Sequence, residues 1–360
     1  MQTDEDFGAQ GGDPRRMVGN VRIDLSTCVN FYGPPPAALE ALRTAIGPAD
    51  LQIHPYPAAE RMEALYAGHL GVSAAEIVAG RGTTEFIWAL SRQVRHDRVA
   101  VPLPAYTDYL KAFPGRGYPG GPVPTIEQID AALAASQLVI ISNPHNPSGV
   151  ALPAAELVAA ARRHPHATFV VDESYVDFLA DPAAASVVGA AADNLVVLRS
   201  PSKFWGIAAT RVGIAWCRDR ERLERLLGRR ETWPISGLDV TVAEAAMGSV
   251  EWATRSRRAL HRDAAWLAVA LRWLPGRLIE QDVGVHYRCL VSEQAGEIAA
   301  RFAEHGVGVR LLGRAHGAHV PVLRILAPLR HQREAVLDGV RAVLGTGAGA
   351  ASTRAVLTAA

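Results

Sequence analysis

The chain has 360 residues, of which 49% are hydrophobic and 20% are charged, and its formal net charge is +1. A chain of this length and hydrophobicity can bury the cores of two domains. The sequence has no clustered basic face and no apolar run long enough to span a bilayer, so we expect neither nucleic-acid nor membrane partners. Its polar, acidic start lacks the apolar segment of a secretion signal, and we expect a cytoplasmic protein.

The predicted elements alternate between short strands and longer helices. We expect residues 1–18 to be disordered and residues 346–360 to form a flexible tail. Helical periodicity is found at 84–95, 153–163 and 219–230. Strands that are apolar almost throughout, as in a sheet buried on both faces, are predicted within 97–103, 137–142, 167–173, 194–200 and 211–217. This alternation predicts an α/β fold with a mostly parallel sheet between helices.

Beyond about residue 240 the pattern changes. A long helical stretch (241–273) leads into "GVHYRCLVS", a helix at 295–305, "GVGVRLL" and "VLRILAP". These segments predict a second, smaller α+β domain. We place an N-terminal arm at 19–45, which joins the small domain and the dimer contact. A large domain at 46–258 and the small domain at 259–345 follow.

The segment "RSPSKFWGIAATRVG" contains Lys203, one of two lysines among 37 basic residues, the other being Lys111. Lysine, unlike arginine, can lose its charge when desolvated and attack a carbonyl as a Schiff-base former. The nearby Ser200, Ser202 and Arg211 suit a phosphate ester. The segment resembles the lysine motif of fold-type I pyridoxal-phosphate enzymes, the aspartate-aminotransferase superfamily. That resemblance implies an aspartate-aminotransferase-like fold and pyridoxal 5′-phosphate as cofactor, bound by these four residues.

Further segments resemble the same family in the same order. In "GRGTTEFIWALSR", the resemblance implies that Gly82, Thr83 and Thr84 meet the cofactor phosphate, and amides at a helix start suit an anion. In "PAYTDY", Tyr106 corresponds to the aromatic residue that stacks on the pyridine ring. In "SNPHNPSG", Asn146 corresponds to the amide that reaches the phenolic oxygen of the cofactor.

The segment "FVVDESYVDF" puts Asp172 at the end of a predicted buried strand. A carboxylate there needs a cationic partner, and a protonated pyridine nitrogen is one. The resemblance implies that Lys203, Asp172 and Tyr175 are catalytic, with Tyr175 bonded to the phenolic oxygen. In "VLRILAP", Arg324 corresponds to the arginine that grips the substrate carboxylate. We expect no metal.

Two N-terminal segments narrow the resemblance. The segment "DLSTCVNFYGPPPA" resembles histidinol-phosphate aminotransferases and threonine-phosphate decarboxylases, and it implies substrate contacts from Asn30 and Tyr32. The segment "HPYPAAE" resembles an element in which Tyr56 reaches across a dimer interface to the neighbouring cofactor phosphate. It implies a homodimer with shared active sites.

Departures from the family pattern concentrate on the substrate side, at Cys28, "GIAAT", "TWPISGLDV" and His286. We therefore expect an aminotransferase that acts on an amino acid or an amino-acid-derived amine other than histidinol phosphate. A decarboxylase remains an alternative, because "SKFWGI" is closer to the threonine-phosphate decarboxylase pattern. A biosynthetic lyase, cyclase or oxidase on this scaffold also remains open. We do not expect a regulatory module, since such proteins usually carry a DNA-binding domain before the segment that begins here at Asp24.

Overall fold

The computed structural model describes residues 21–47, 51–281, 284–313 and 316–345. The predicted disordered start and flexible tail lie outside these ranges. In chain order the strands are β1 (Ile23–Asp24), β2 (Ile77–Gly80), β3 (Val99–Pro102), β4 (Gly117–Tyr118), β5 (Leu138–Ser142), β6 (Thr168–Asp172), β7 (Leu195–Arg199), β8 (Gly213–Trp216), β9 (Arg277–Leu278), β10 (Tyr287–Val291), β11 (Val307–Gly308), β12 (Arg310–Leu312) and β13 (Val322–Leu326).

Helices connect and flank these strands. In chain order they are α1 (Pro36–Ala45), α2 (Ala58–Leu70), α3 (Gly82–Gln93), α4 (Thr107–Ala112), α5 (Ile126–Ala135), α6 (Ala154–Arg163), α7 (Pro182–Ala185), α8 (Arg220–Leu227), α9 (Gly237–Met247), α10 (Val250–Leu271), α11 (Ala295–Glu304) and α12 (Arg333–Gly345). None of the helices in these ranges is both long and apolar enough to cross a bilayer.

The largest sheet has seven strands in the order β2-β8-β7-β6-β5-β3-β4. Every residue of β5, β6 and β7 is buried, because apolar helices cover both faces of the sheet. The strands from β7 to β4 run parallel, while β8 is antiparallel to both of its neighbours. The predicted α/β fold with a mostly parallel sheet is confirmed.

The strand order reverses between β3 and β5. From β3 the chain moves to β4 at one edge, and from β5 it moves through β6 to β7 on the other side. In open α/β sheets, such a switch point opens a crevice at the carboxyl ends of the strands, where ligands bind. We therefore expect a ligand-binding site at the loops that follow β3, β5, β6 and β7.

Two smaller sheets lie in the C-terminal part of the described chain. One is antiparallel, in the order β12-β13-β10-β9. The other is a parallel pair in which β1, from the N-terminal arm, aligns Ile23 with Val307 of β11. The arm thus packs with the C-terminal elements, as expected. The domain boundaries that we placed by residue number stay a prediction.

One local prediction needs correction. The helical stretch expected over 241–273 is two helices, α9 and α10, that meet at Gly248 and Ser249. Glycine is a poor helix former, which explains the break. The strand predicted around "RVGIAWC" forms as β8, and its antiparallel direction is a feature that a continuous apolar run cannot reveal.

Candidate active site

Residues from the carboxyl ends of β5, β6 and β7 meet the start of α3 around one pocket. The pocket is lined by Gly82, Thr83, Thr84, Tyr106, Tyr109, Ser142, Asn146, Asp172, Ser174, Tyr175, Ser200, Ser202, Lys203 and Arg211. Eleven of these fourteen were selected from the sequence, and they come from segments more than a hundred residues apart. The switch point of the large sheet thus gathers the motifs in one place.

The Asp172 carboxylate lies at the base of the pocket with both oxygens bound. Its Oδ1 accepts hydrogen bonds from the backbone nitrogen and the hydroxyl of Ser174, at 2.9 and 2.5 Å. Its Oδ2 accepts one from the Tyr109 hydroxyl at 2.8 Å. Burial raises the pKa of Asp172, while these donors and the charge of Lys203 act in the opposite direction. These bonds hold the Asp172 carboxylate in one orientation.

Lys203 projects from the loop that joins the neighbouring strands β7 and β8. Burial lowers the pKa of its amine, and the nearby guanidinium of Arg211 acts in the same direction. Asp172 acts against both. An amine in this setting loses its proton more readily than an exposed lysine, as a nucleophile or a proton carrier requires. The N-terminal arm holds the backbone of this loop in place, because the Lys203 carbonyl accepts a hydrogen bond from the backbone nitrogen of Asn30 at 2.9 Å.

The opposite end of the pocket is formed by the first turn of α3. Gly82 has a φ of +73°, and no side chain caps the helix. A Cβ on Gly82 would lie 3.1 Å from the Arg211 guanidinium, and one on Gly213 would lie 2.8 Å from the Gly82 backbone. Two glycines therefore permit the close approach of helix and strand, and they leave the amides of the first turn accessible to an anion.

Hydroxyl groups complete this end of the pocket. The Ser200 hydroxyl donates to the Val212 carbonyl at 2.7 Å and lies 2.9 Å from the Ser202 hydroxyl. The Thr83 hydroxyl lies 3.5 Å from that of Ser174. Hydroxyls, free backbone amides and one guanidinium together form a donor set that suits a phosphate group.

The sides of the pocket are formed by loops after β3 and β5. Tyr106 packs edge-on against Tyr109 with ring centroids 5.4 Å apart, and its hydroxyl donates to Asp108 at 3.0 Å. Asn146 is anchored by a bond from its backbone nitrogen to the Ser142 hydroxyl at 2.9 Å. Its Oδ1 accepts a 2.5 Å bond from Arg324, which leaves Nδ2 as a donor. Tyr106 thus offers an aromatic surface, and Asn146 offers an amide N–H.

Arg324 enters from β13 of the antiparallel sheet and is buried. Besides its bond to Asn146, it donates to the Ser26 carbonyl at 2.7 Å, and its Nε has no partner among the residues that the structure describes. Directly opposite it in the β12–β13 pair is Arg310. Like charges at facing positions of an antiparallel pair repel one another. A buried donor without a partner beside such a repulsion indicates a place for an anion.

Arg310 was not selected from the sequence. It lies 3.4 Å from the Thr107 hydroxyl and 3.4 Å from the His316 ring, both of which are neutral partners. Burial, with a further contribution from Arg324, lowers the pKa of Arg310 to about 10. Burial also lowers the pKa of His316 to about 3, so this ring adds no positive charge at neutral pH.

Tyr175 lines the pocket near Cys28 of the N-terminal arm. Its ring packs edge-on against Tyr287 of β10, with centroids 5.6 Å apart. Burial is the largest cause that raises the pKa of the Tyr175 hydroxyl and of the Cys28 thiol. Both groups therefore stay protonated at neutral pH, and the Tyr175 hydroxyl can act as a hydrogen-bond donor.

Four predicted residues lie outside the lining of this pocket: Arg324, described above, and Asn30, Tyr32 and Tyr56. The Asn30 amide donates to the Phe204 carbonyl and to the Ser256 hydroxyl, so it ties the arm to the lysine loop and to α10. The Tyr32 hydroxyl donates to Asp263 at 2.6 Å. Their predicted substrate contacts stay a prediction. Tyr56 is 62% exposed, where a residue that serves a neighbouring subunit is expected to lie.

Sequence reasoning missed Tyr109, Ser142 and Ser174, which line the pocket, in addition to Arg310. Ser174 lies two residues after Asp172, and the Asp-x-Ser spacing is a turn signal that could have revealed it. Tyr109 lies 63 positions before its partner Asp172, and no local pattern connects them. Arg310 acquires its meaning only from the register of β12 against β13.

Comparison with known proteins agrees with this geometry. The family model described as "Aminotransferase class I and II" matches residues 21–314. A histidinol-phosphate aminotransferase of Ruegeria pomeroyi is 29% identical over 352 residues, which cover 90% of this chain and 91% of the relative.

Two solved structures share the fold. A histidinol-phosphate aminotransferase from Sinorhizobium meliloti in complex with pyridoxal-5′-phosphate has a TM-score of 0.76 at 21% identity, covering 96% of this chain and 94% of that one. The L-threonine-O-3-phosphate decarboxylase from Porphyromonas gingivalis has a TM-score of 0.75 at 20% identity, covering 90% and 99%.

Proposed function

The chain belongs to the class I and II aminotransferases, and from this premise we propose that it transfers the amino group of an amino acid with pyridoxal 5′-phosphate as its cofactor. When bound, the cofactor supplies an aldehyde for the substrate amine and a ring that accepts electrons from the substrate Cα. The observation that carries the proposal is the position of Lys203 and Asp172 in one pocket, with a phosphate-type donor set at its far end.

The residues present fit the cofactor at its phosphate end. Gly82, Thr83 and Thr84 begin a helix without a side-chain cap, and its positive end favours an anion. Ser200, Ser202 and Arg211 add hydroxyls and a guanidinium from the opposite wall. A Cβ at the first position of the helix would press on the Arg211 guanidinium, and its absence keeps the cradle open.

The residues also fit the ring. Asp172 is buried and has neutral donors on both oxygens, so a protonated ring nitrogen would satisfy its charge. Tyr106 would stack on one face of the ring. Asn146 and Tyr175 would donate to the phenolic oxygen, since burial keeps the Tyr175 hydroxyl protonated.

The proposed role of Lys203 is to carry a proton. Its amine would hold the cofactor in the absence of substrate and would serve as a base once substrate is bound. Lys203 Nζ takes the proton from the substrate Cα and delivers it to the carbon that receives the amino group. Burial lowers the pKa of Nζ, which favours the neutral form that this task requires.

The substrate would be held by Arg324, whose fork suits a carboxylate. A carboxylate bound in this way would orient the substrate so that its Cα–H bond, rather than the bond to the carboxylate, is perpendicular to the cofactor ring. Arg310 faces Arg324 across the strand pair and has neutral partners only. Two opposed cations favour an amino acid that carries a second anionic group.

We propose a cytoplasmic homodimer in which Tyr56 serves the partner's phosphate site. His54 stacks on Trp233 with ring centroids 3.8 Å apart, and Tyr56 meets the same indole edge-on at 5.9 Å. Leu51 and Ile53 beside them are 65% and 68% exposed. An exposed apolar and aromatic patch of this kind is typical of an interface. Light scattering of Tyr56→Ala against wild type would test whether the patch joins two chains.

A single turnover tests the reaction. Holoenzyme mixed with acidic and phosphorylated amino acids should convert one of them into the matching keto acid, with loss of the visible absorbance of the bound cofactor. Lys203→Arg should keep the charge but lower the turnover rate by at least about 100-fold, because the nucleophile and base are lost. Lys111→Arg is the matched control and should leave the rate unchanged. An active Lys203→Arg enzyme would contradict the assignment.

Decarboxylation is the second candidate. The lysine segment "SKFWGI" favours it, since it resembles the threonine-phosphate decarboxylase pattern. It requires the same lysine and carboxylate, with the substrate turned so that its carboxylate bond is perpendicular to the ring. Release of carbon dioxide with the visible absorbance retained would replace transamination by this reaction.

A further inference from the structure

The imidazole of His145 joins two loops at the switch point of the large sheet. It belongs to the loop after β5, which carries Asn146, and it is only 5% exposed. Its Nε2 lies 2.9 Å from the carbonyl of Pro104 in the loop after β3. Its Nδ1 lies 2.8 Å from the hydroxyl of Ser148. Two residues beyond Pro104 comes Tyr106.

Chemistry defines the state of this ring. The Pro104 carbonyl can only accept a hydrogen bond, so Nε2 must carry the hydrogen. In the neutral ring, Nδ1 accepts from the Ser148 hydroxyl. Burial lowers the pKa of His145 to about 4, consistent with the neutral form. A neutral, fully bonded histidine in this position acts as a rigid spacer rather than as an acid or base.

The same residue also contacts the small antiparallel sheet. The His145 carbonyl accepts a bond from the Tyr287 hydroxyl at 3.0 Å. Within its own loop, its backbone nitrogen donates to Val150 at 2.7 Å, and its carbonyl accepts from the Gly149 nitrogen at 2.6 Å. Backbone hydrogen bonds within the loop therefore fix its shape, and the His145 side chain links this loop to Pro104 of the neighbouring loop.

From this geometry we propose that His145 is a positioning residue that fixes the separation between Tyr106 and Asn146, and so the slot that receives the cofactor ring. The inference rests on the proposed function. Loops on either side of a switch-point crevice diverge. A neutral hydrogen-bonded bridge across the crevice holds them together without placing a charge beside Asp172 or Lys203.

Two substitutions of His145 distinguish a side chain that keeps the hydrogen bond to Pro104 from one that loses it. The side-chain amide of His145→Gln can reach the Nε2 position and donate to Pro104. That of His145→Asn ends near the Nδ1 position and leaves the Pro104 carbonyl without its donor. His166→Asn, at an exposed site away from the pocket, is the control.

The readout is visible circular dichroism of bound pyridoxal 5′-phosphate, which reports how the ring is held, together with the cofactor dissociation constant. For His145→Asn we expect at least a twofold weaker dichroic band and an affinity lower by about tenfold. For His145→Gln and His166→Asn we expect values within about twofold of wild type, as one retained or untouched hydrogen bond implies.

Different failures are distinguishable. Wild-type protein that gives no visible band with the cofactor overturns the proposed function, and the inference with it. A normal wild-type band that is unchanged in His145→Asn overturns the inference alone, whatever the melting temperature of the cofactor-free variant. If His145→Asn does not fold, His145→Met decides, because its side chain has about the length of the histidine but cannot donate to Pro104. A weakened band then supports the bridge, and an unchanged band overturns it.

Discussion

Two groups of arginine, one at Arg199 and one formed by Arg324 and Arg310, differ in how their charge is balanced. The Arg199 guanidinium lies between two acids, 3.4 Å from Glu173 and 2.5 Å from Asp177. Arg324 and Arg310 face one another and have only neutral partners. The charge of Arg199 is balanced by acids of the protein, whereas neither Arg324 nor Arg310 has an acidic partner among the described residues. The comparison separates a charge that supports the fold from a charge kept for a ligand.

The balanced group can be broken directly. Arg199→Met leaves two buried carboxylates without a cation, and we expect the free energy of unfolding to fall by about 3–5 kcal/mol. Urea denaturation measures this loss. Arg324→Met should lower the free energy of unfolding by less than half as much, because two neutral acceptors lose a donor while repulsion with Arg310 is relieved. Equal losses at the two positions would remove the distinction.

For catalytic activity we expect the opposite order, with the larger loss at Arg324 and the smaller loss at Arg199. If Arg324 binds the substrate carboxylate as proposed, Arg324→Met should lower kcat/KM by about 100-fold or more, equivalent to about 3 kcal/mol. Steady-state kinetics with cofactor saturation measured in parallel would check this. An unchanged kcat/KM would mean that the carboxylate binds elsewhere.

Arg310 sharpens the comparison further. If it binds a second anionic group, Arg310→Met should raise KM by about tenfold for a dianionic amino acid while affecting a neutral side chain little. The unliganded variant should be as stable as wild type, since one of two opposed cations is gone. A uniform loss across substrates would indicate a structural role instead.

The smallest effect is expected at Tyr32. Loss of its hydroxyl removes one bond to Asp263, which keeps its 2.6 Å contact with Arg333. We expect Tyr32→Phe to lower the free energy of unfolding by about 1 kcal/mol, with KM unchanged. A clear rise in KM would restore the substrate contact that the sequence predicted.

Much of the site could be predicted because local sequence chemistry creates it. Asp172 follows a run of buried apolar residues, and such strands end at the same edge of a parallel sheet. The Asn-Pro pairs around Asn146 define a turn, and glycine marks the start of α3. The resemblance to pyridoxal-phosphate enzymes identified further residues at the cofactor end of the pocket.

What could not be predicted depends on register and long-range packing. The opposition of Arg310 and Arg324 requires the alignment of two strands that are separated by a loop. The use of Asn30 and Tyr32 as ties to α10 depends on where that helix packs, more than 220 residues further along the chain. The reversed direction of β8 left no trace in its composition, since either direction buries the same side chains.

That reversal has a consequence for Lys203. Because β7 and β8 are neighbours and pair antiparallel, with Val197 opposite Trp216, the connecting loop begins and ends at the same place in the sheet. Its stems are zipped together by backbone hydrogen bonds in the interior, and amide protons there should be among the slowest to exchange. Lys203 lies in the loop that begins after Arg199 and ends before Gly213, so both ends of that loop are anchored in buried, paired strands. We expect the position of the Lys203 amine in the pocket to depend on this strand pair.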